Sequence, residues 1–372
     1  MPLSQLKVLE LANILAGPLI GQFCAELGAI VTKVEHPDGG DPTRGWHVAG
    51  EPEGAVSAYF SCANWGKRSI ALNVASDEGA NIVRKLVRQS DVVIVGYKPG
   101  DELKFGLDYP TLRELNSKLI YLQITAYGTE DPRPGFDAII QAESGFTYLN
   151  GEASGGPVKM PVALVDVLAA HQLKEALLLA LIKRERSGEG SYLATSLLAA
   201  ATASLANQAS NYLHAGVVPE RMGSEHPNIV PYGNIIQTAD GREVVLAVGT
   251  ERQFREFSKA IGLPALPDDE RFATNKDRVV NRDVLGALIR ERVESMPSHE
   301  LEIELGRRKV PFGYVNDMPA VFDLPQSREQ LFGSGNGLRT VAFTGDVFEK
   351  KNLSPPPRLD EHRSEILQEL GD

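Results

Sequence analysis

Ser69-Ile-Ala-Leu-Asn-Val-Ala-Ser-Asp-Glu-Gly-Ala-Asn-Ile-Val-Arg-Lys-Leu-Val-Arg-Gln-Ser-Asp-Val-Val-Ile-Val95 carries a strand, a helix and a second strand in succession. Ser69 to Asn73 is a short β-rich run. Glu78 to Arg88 spaces its apolar residues along one helix face, with Asp77 near its start. Val92 to Val95 is apolar at every position, as a strand covered on both faces must be. A strand, a crossover helix and a further strand form a βαβ unit, and such units build a parallel sheet.

The same alternation extends on either side. Upstream lie the strand Leu6 to Leu11, a helix from Leu19 to Leu27 opened by Gly17-Pro18 and stopped by Gly28, and the strand Ile30 to Val34. Downstream come a short helical piece, Leu112 to Leu115, and the strand Leu119 to Ile124. Ligands gather beyond the carboxyl ends of such strands. Those ends carry Asn13, His36, Tyr97, Tyr127 and Asp166. The Ala- and Ser-rich apolar run Leu193 to Leu205 reads as a packed helix.

After about residue 200 the pattern changes. Residues 201–228, with Pro219, Pro227 and the run Arg221-Met-Gly-Ser-Glu-His-Pro227, read as a connecting arm. Gly233 to Val248 reads as a hairpin turning at Asp240-Gly241. Helical patterns follow at Arg252 to Ile261 and Asn281 to Ser295, then a strand at Pro311 to Val315. Residues 229–320 are thus expected to form a smaller α+β domain beside a large one over 1–200. The tail, 321–372, ends in a helix near His362 to Leu370.

An apolar content of 42% allows a large core. The net charge of −11 argues against nucleic acid as a partner, which calls for a basic face. Cys24 and Cys62 have no CxxC neighbour, which excludes a disulfide framework and a Cys-rich zinc site. The His residues show no ligand spacing, so no metal is expected. No run approaches the ~18 apolar residues of a membrane span, and no secretory signal is recognisable, so a cytoplasmic protein is expected. GxGxxG, Walker, HExxH, EF-hand and GxSxG motifs do not occur. Lys67-Arg68, Lys98, Lys104 and Arg133 each read singly as solvated charges. Grouped at strand ends in an acidic chain, they read as holders of a phosphate-bearing ligand.

Met160-Pro-Val-Ala-Leu-Val-Asp166 delivers one carboxylate to the start of the mostly apolar segment Val167 to Ile182. The local pattern favours an N-cap, whose oxygen accepts a free backbone N–H. A nucleophile is the alternative.

Val8-Leu-Glu-Leu-Ala-Asn-Ile-Leu-Ala-Gly-Pro18, Leu27-Gly-Ala-Ile-Val-Thr-Lys-Val-Glu-His-Pro37, Gly40-Asp-Pro-Thr-Arg-Gly-Trp46, Asn64-Trp-Gly-Lys-Arg-Ser-Ile-Ala-Leu-Asn73, Ser90 to Gly100 and Arg133 to Gly145 occur in order. With the Asp166 segment they resemble the class III CoA-transferases, the group of the formyl-CoA and carnitine CoA-transferases. The resemblance is dense over the first 200 residues and looser beyond. It implies an α/β fold with a Rossmann-like large domain, a small α+β domain, and a return of 321–372 to the large one. It also implies an interlocked homodimer, or pairing with a related second subunit. Asp166 matches the family's catalytic aspartate. Its CoA-contacting positions fall on Asn13, Leu15, Ala16, His36, Leu72, Gly96, Tyr97, Lys104 and Arg133. CoA enters as a substrate, acyl-CoA, beside a carboxylic acid acceptor; no permanently bound cofactor is implied.

The implied chemistry runs through an aspartyl anhydride and an aspartyl-CoA thioester. Its oxyanion would be bound by backbone N–H groups after Asp166, and the helix dipole would keep Asp166 ionised. This chain departs from the family pattern at Gly96, where Asn is usual, at His36, where Arg is common, and at Leu15. No glycine-rich loop is visible near Glu225 to Tyr232. These departures imply substrates other than formate and oxalate. An α-methylacyl-CoA racemase resembles the same fold but needs a His-Asp pair where this chain has Phe136-Asp137, and Phe cannot exchange a proton. A non-catalytic CoA-binding subunit should lack the aspartate.

Overall fold

In the computed structural model, which describes residues 1–371, the apolar runs of the first half assemble into one parallel sheet. Its strands are β1 (Lys7–Leu11), β2 (Ile30–Glu35), β3 (Lys67–Ala71), β4 (Val92–Val95), β5 (Ile120–Thr125) and β6 (Ser191–Ser196). They lie in the order β3-β2-β1-β4-β5-β6, every pair parallel. The chain therefore runs outward from β1 to β3, then returns to place β4 on the other side of β1. That reversal opens a crevice beyond the carboxyl ends of β1 and β4, where ligands bind in sheets of this kind.

Both sheet faces are covered, as the apolar strands require. On one face Leu9, Leu11, Val93, Val95 and Tyr121 pack with Ile82, Val83 and Leu86 of α2 (Asp77–Gln89). Ser76 caps α2 by accepting the Gly79 N–H at 3.1 Å. On the other face Val8, Ile94, Ile120 and Leu122 pack with Ile20 and Phe23 of α1 (Ala16–Glu26). They also meet Leu173 and Leu177 of a long helix, Leu164–Ser187. With α3 (Tyr109–Leu115) and α4 (Asp137–Glu143) preceding it in the chain, that helix is α5.

Leu193 to Leu205 is not a single helix. Its first residues continue β6, with Leu193 opposite Leu122 and Ser196 opposite Thr125. Ser196 then caps α6 (Leu197–Ala203), accepting the Ala199 N–H at 3.0 Å. Open pairing positions along β5 outweigh the helix preference of the Ala-rich run. A further helix, α7 (Ala206–Leu213), follows at once.

The described residues form two compact units. One holds Met1–Phe146, Met160–Val217 and the chain from Pro325 on; the other holds Thr147–Lys159 and Val218–Leu324. Thr147–Lys159 joins the second unit because its polar groups are met there. The Gly223 N–H donates to the Gly151 carbonyl at 3.1 Å, and Arg221 donates to the Tyr148 carbonyl at 2.8 Å.

Within the second unit, β7 (Tyr232–Gln237), β8 (Glu243–Ala247) and β9 (Phe312–Tyr314) form an antiparallel sheet. The β7–β8 hairpin turns at Asp240-Gly241, where Gly241 holds φ at 83°, a value glycine adopts without penalty. Val244 and Leu246 pack with Phe254 and Phe257 of α8 (Glu251–Ala260), Leu285 and Ile289 of α9 (Arg282–Glu294), and Leu301 and Leu305 of α10 (Ser298–Arg307).

In the first unit the last residues cover the free edge of β3. The Ala71 N–H donates to the Asp360 carboxylate at 2.7 Å, the His362 N–H to the Ser69 carbonyl at 3.0 Å, and Arg363 to the Ala71 carbonyl at 2.8 Å. Arg68 pairs with Glu365 and Glu369 of α11 (Arg363–Leu370). Exposed strand edges invite pairing with other chains, and this segment closes one. No helix among the described residues is long and apolar enough to cross a membrane.

Candidate active site

A cleft of about 280 Å³ occupies the crevice at the β1–β4 reversal. β1 delivers Asn13, Leu15 and Ala16 to it, β4 delivers Gly96 and Tyr97, the segment before α4 delivers Arg133 and Phe136, and α5 delivers Asp166. Seven of the ten positions expected from the resemblance thus meet in one place, including the expected nucleophile.

Three do not line this cleft. Leu72 belongs to a separate depression of about 460 Å³ with Asn73, Ser76, Asp360 and Arg363, where the C-terminal segment crosses the end of β3. His36 is exposed, its Nδ1 accepting the Asp38 N–H at 3.1 Å. Lys104 is solvated and paired with Asp101 at 2.6 Å. Arg133, inside the cleft, is also engaged: it pairs with Asp131 at 2.8 Å and stacks over the Tyr127 ring at 3.8 Å.

Asp166 is not an N-cap. Ala163 holds that position, and Asp166 sits in the first turn of α5. The capping work falls to Asp137, whose carboxylate accepts the Val165 N–H at 2.9 Å and the Gln141 amide at 2.7 Å. Asp166 is buried, and its carboxylate makes no hydrogen bond or ion pair with any described residue. A buried carboxylate without partners is costly in its charged form. Burial first, and then the neighbouring Asp137 charge, raise the Asp166 pKa from its ordinary 3.8 to about 7. Desolvation and this like charge act against the helix dipole that was expected to keep Asp166 ionised.

The amides after Asp166 are not free to bind an oxyanion. The Val167 N–H donates to the Ala163 carbonyl at 3.3 Å, as an intrahelical bond must. Free amides lie instead at the start of α1. Its first interior bond runs from the Leu19 N–H to the Leu15 carbonyl at 2.8 Å, leaving the Ala16 and Gly17 N–H groups without a partner in the cleft wall. A Cβ on Gly17 would overlap the Ala12 side chain. Gly96, where the resemblance leads one to expect Asn, packs its Cα against Ala12, and a Cβ there would sit 3.1 Å from the Ala12 methyl. β1 and β4 approach closely where the cleft begins.

The sequence gives no sign of Asp137 as a neighbour of Asp166, nor of Pro42, Thr125 and Leu197 in the cleft wall. Asp137 opens a helical run after Arg133-Pro-Gly-Phe136, a visible start signal. Its contact with a helix 28 residues on, at Val165, has no local signature.

CoA-transferase family III matches residues 3–363 of the chain. A succinate–glutarate CoA-transferase from Agrobacterium fabrum is 40% identical over 99% of this chain and 96% of its own length. The human succinyl-CoA:glutarate CoA-transferase is 34% identical over 99% of this chain and 86% of its own. A crystal structure of a CAIB/BAIF family protein from Brucella suis superposes with a TM-score of 0.86 and 41% identity, covering 100% of this chain and 99% of that one. Together with the doubly wound sheet and its cleft, these similarities identify the chain as a member of CoA-transferase family III.

Proposed function

We propose that this CoA-transferase works by covalent catalysis at Asp166, moving CoA from a dicarboxylic acyl-CoA to a second dicarboxylic acid. The observation that carries the reading is the state of Asp166: buried, unbonded, and in the wall of the cleft at the sheet reversal. A structural carboxylate would be paired or capping. This one is held in reserve at an energetic cost, as expected of a nucleophile.

An Asp166 oxygen attacks the thioester carbonyl, the C–S bond breaks, and CoA leaves as the thiolate. The product is a mixed anhydride between Asp166 and the acyl group. The thiolate then attacks the aspartyl carbonyl, giving an aspartyl-CoA thioester and releasing the donor as its free acid. The acceptor carboxylate repeats the sequence in reverse: it displaces CoA thiolate from Asp166, and the thiolate takes the new acyl group, restoring the carboxylate. Each step exchanges one acyl bond for another of similar energy, which is the gain from a covalent route. The free amides of Ala16 and Gly17 are the donors for the oxyanion of each addition. A raised pKa makes the ionised Asp166 a better nucleophile than a solvated carboxylate, while a neutral pH still leaves a large part of it ionised.

The names of the relatives at 40% and 34% identity support succinyl-CoA as donor and glutarate as acceptor. Arg133, on exchanging its Asp131 pairing, and Lys98 are the cations of the cleft wall that would meet a CoA phosphate. The set Asn13, Leu15, Ala16, Gly96 and Tyr97 forms the pantetheine-side wall, and Leu72 with His36 lies towards the nucleotide end. Self-association into a dimer is part of the reading. Leu178, Leu179 and Ile182 stand exposed on α5, apolar surface that a second copy would cover. Phe136, in the cleft wall where a racemase needs a proton-exchanging His, speaks against racemisation.

The test is to mix the protein with succinyl-CoA without acceptor, trap with hydroxylamine and map the modified peptide. Modification at Asp166 is expected. Turnover with glutarate and an unmodified Asp166 peptide would refute the covalent route and leave the transferase activity standing.

A further inference from the structure

The loop from β1 into α1 holds a backbone conformation its sequence should refuse. Among the described non-glycine residues with positive φ, which are Ile14, Ala206, Lys309 and Asp360, Ile14 is the β-branched one, at φ 72°. A branched Cβ clashes with its own backbone in the left-handed region. Such a conformation persists where the surroundings over-determine it.

The surroundings are a group of fully buried charges. Lys33 on β2 donates to the Ala12 carbonyl at 2.6 Å and to Glu10 at 2.9 Å, and pairs with Asp41 at 3.0 Å. The two Asp41 oxygens accept the Ile14 N–H at 3.3 and 3.1 Å. Asp41 is itself fixed by the Thr43 N–H at 3.0 Å and the Thr43 hydroxyl at 2.8 Å. Glu10 is shared with Lys67 at 2.7 Å. The Lys33, Glu10 and Asp41 side chains have no solvent exposure. Buried ion pairs of this sort seldom add stability over apolar packing, so their retention points to a role in fixing one conformation. Here they grip the carbonyl before Asn13 and the amide after it. That fixes the chain direction from which Leu15, Ala16 and Gly17 enter the cleft wall that also holds Asp166.

We propose that Lys33 and Asp41 are positioning residues for acyl transfer: they clamp Ile14 in the left-handed region, so that the free amides at the start of α1 face the thioester carbonyl that Asp166 attacks. They touch neither substrate nor reacting atoms. Their effect belongs to the transition state and leaves ground-state binding of CoA largely alone. The proposal rests on the covalent reading of Asp166 given above.

The test uses the full chain, single-turnover formation of the hydroxylamine-trapped adduct from succinyl-CoA, and CoA affinity by calorimetry. Asp41→Asn keeps the shape but weakens the grip on the Ile14 amide. Ile14→Pro forces φ to about −65° and removes that amide, leaving the buried charges untouched. Each is expected to slow adduct formation about a hundredfold, the scale of a misplacement near 1 Å. CoA affinity should stay within about threefold. Ile14→Gly added to Asp41→Asn should recover most of the lost rate, since glycine occupies this region without a clash. A merely structural role for the charges predicts no such repair. Wild-type rates in Asp41→Asn and Ile14→Pro would overturn the proposal, as would a loss in Asp41→Asn that Ile14→Gly leaves unrepaired. If Asp41→Asn fails to fold, Ile14→Pro decides alone. If the wild type gives no adduct at Asp166, the covalent reading fails by itself, and the same variants are judged on steady-state kcat with the same expected pattern.

Discussion

At the scale of the residue, Asp166 joins two properties that proteins rarely combine, burial and an unpaired carboxylate. Asp166→Asn and Asp166→Ala should each reduce transfer to background while CoA still binds, measured by turnover with succinyl-CoA and glutarate and by calorimetry with CoA. Wild-type turnover in Asp166→Asn, with deamidation excluded by mass, would remove the nucleophile. The pKa near 7 adds a pH signature: kcat/KM should rise from pH 6 to pH 8 and then level, following ionisation of Asp166 in the free enzyme. Stability should move the other way. The folded state holds this proton up to about pH 7, while the unfolded chain releases it near 3.8, so the native protein loses stability between those values as pH rises. Asp166→Asn removes that loss. It should be more stable than wild type at pH 8, by a few kcal/mol at about 1.4 kcal/mol per pKa unit, with the gap closing towards pH 4. Urea unfolding at both pH values checks this. Among the cations, Arg133→Ala should raise KM for acyl-CoA more than it lowers kcat, since a phosphate contact serves ground and transition states alike. Lys104→Ala, outside the cleft, should change KM less; equal effects would place a CoA phosphate near Lys104.

At the scale of the element, α1 is held by what its glycines leave out. A Cβ on Gly21 would overlap the Glu10 carboxylate and crowd Lys67, both fully buried. Gly21→Ala should therefore cost about 1–3 kcal/mol, the usual price of overpacking. Gly286 inside α9 has nothing within 4 Å of its would-be Cβ, so Gly286→Ala should gain up to about 1 kcal/mol from helix propensity. Denaturant midpoints of the two variants should move in opposite directions. The same comparison shows what local pattern can convey. The spacing of Ile82, Val83, Leu86 and Val87 announces α2, and Asp240-Gly241 announces the β7–β8 turn, because both are written within a few residues. Neither glycine's tolerance is written there, since each depends on what the fold brings alongside.

At the scale of the whole molecule, the C-terminal segment closes the β3 edge, and the Leu72 depression depends on it. Deleting residues 354–372 should leave β3 unpaired, promote association through that edge and weaken CoA binding at the nucleotide end. Sedimentation velocity and CoA calorimetry measure the two effects, and a truncated chain with native CoA affinity would place the nucleotide elsewhere. The amino-acid chain on its own set the parallel α/β sheet and the hairpin of the second unit, because apolar periodicity and turn chemistry act over short distances, and its ordered motifs resemble those of the family. It also marked Asp166, but by resemblance: its local pattern favoured a cap that Asp137 in fact supplies. Leu193 to Ser196 became strand and not helix because β5 offered them a pairing edge. The raised Asp166 pKa and the clamp on Ile14 arise between residues distant in the chain, such as Asp137 with Asp166 and Asp41 with Ile14. Burial and charge proximity are properties of packed neighbours, and only the tertiary structure decides which neighbours those are.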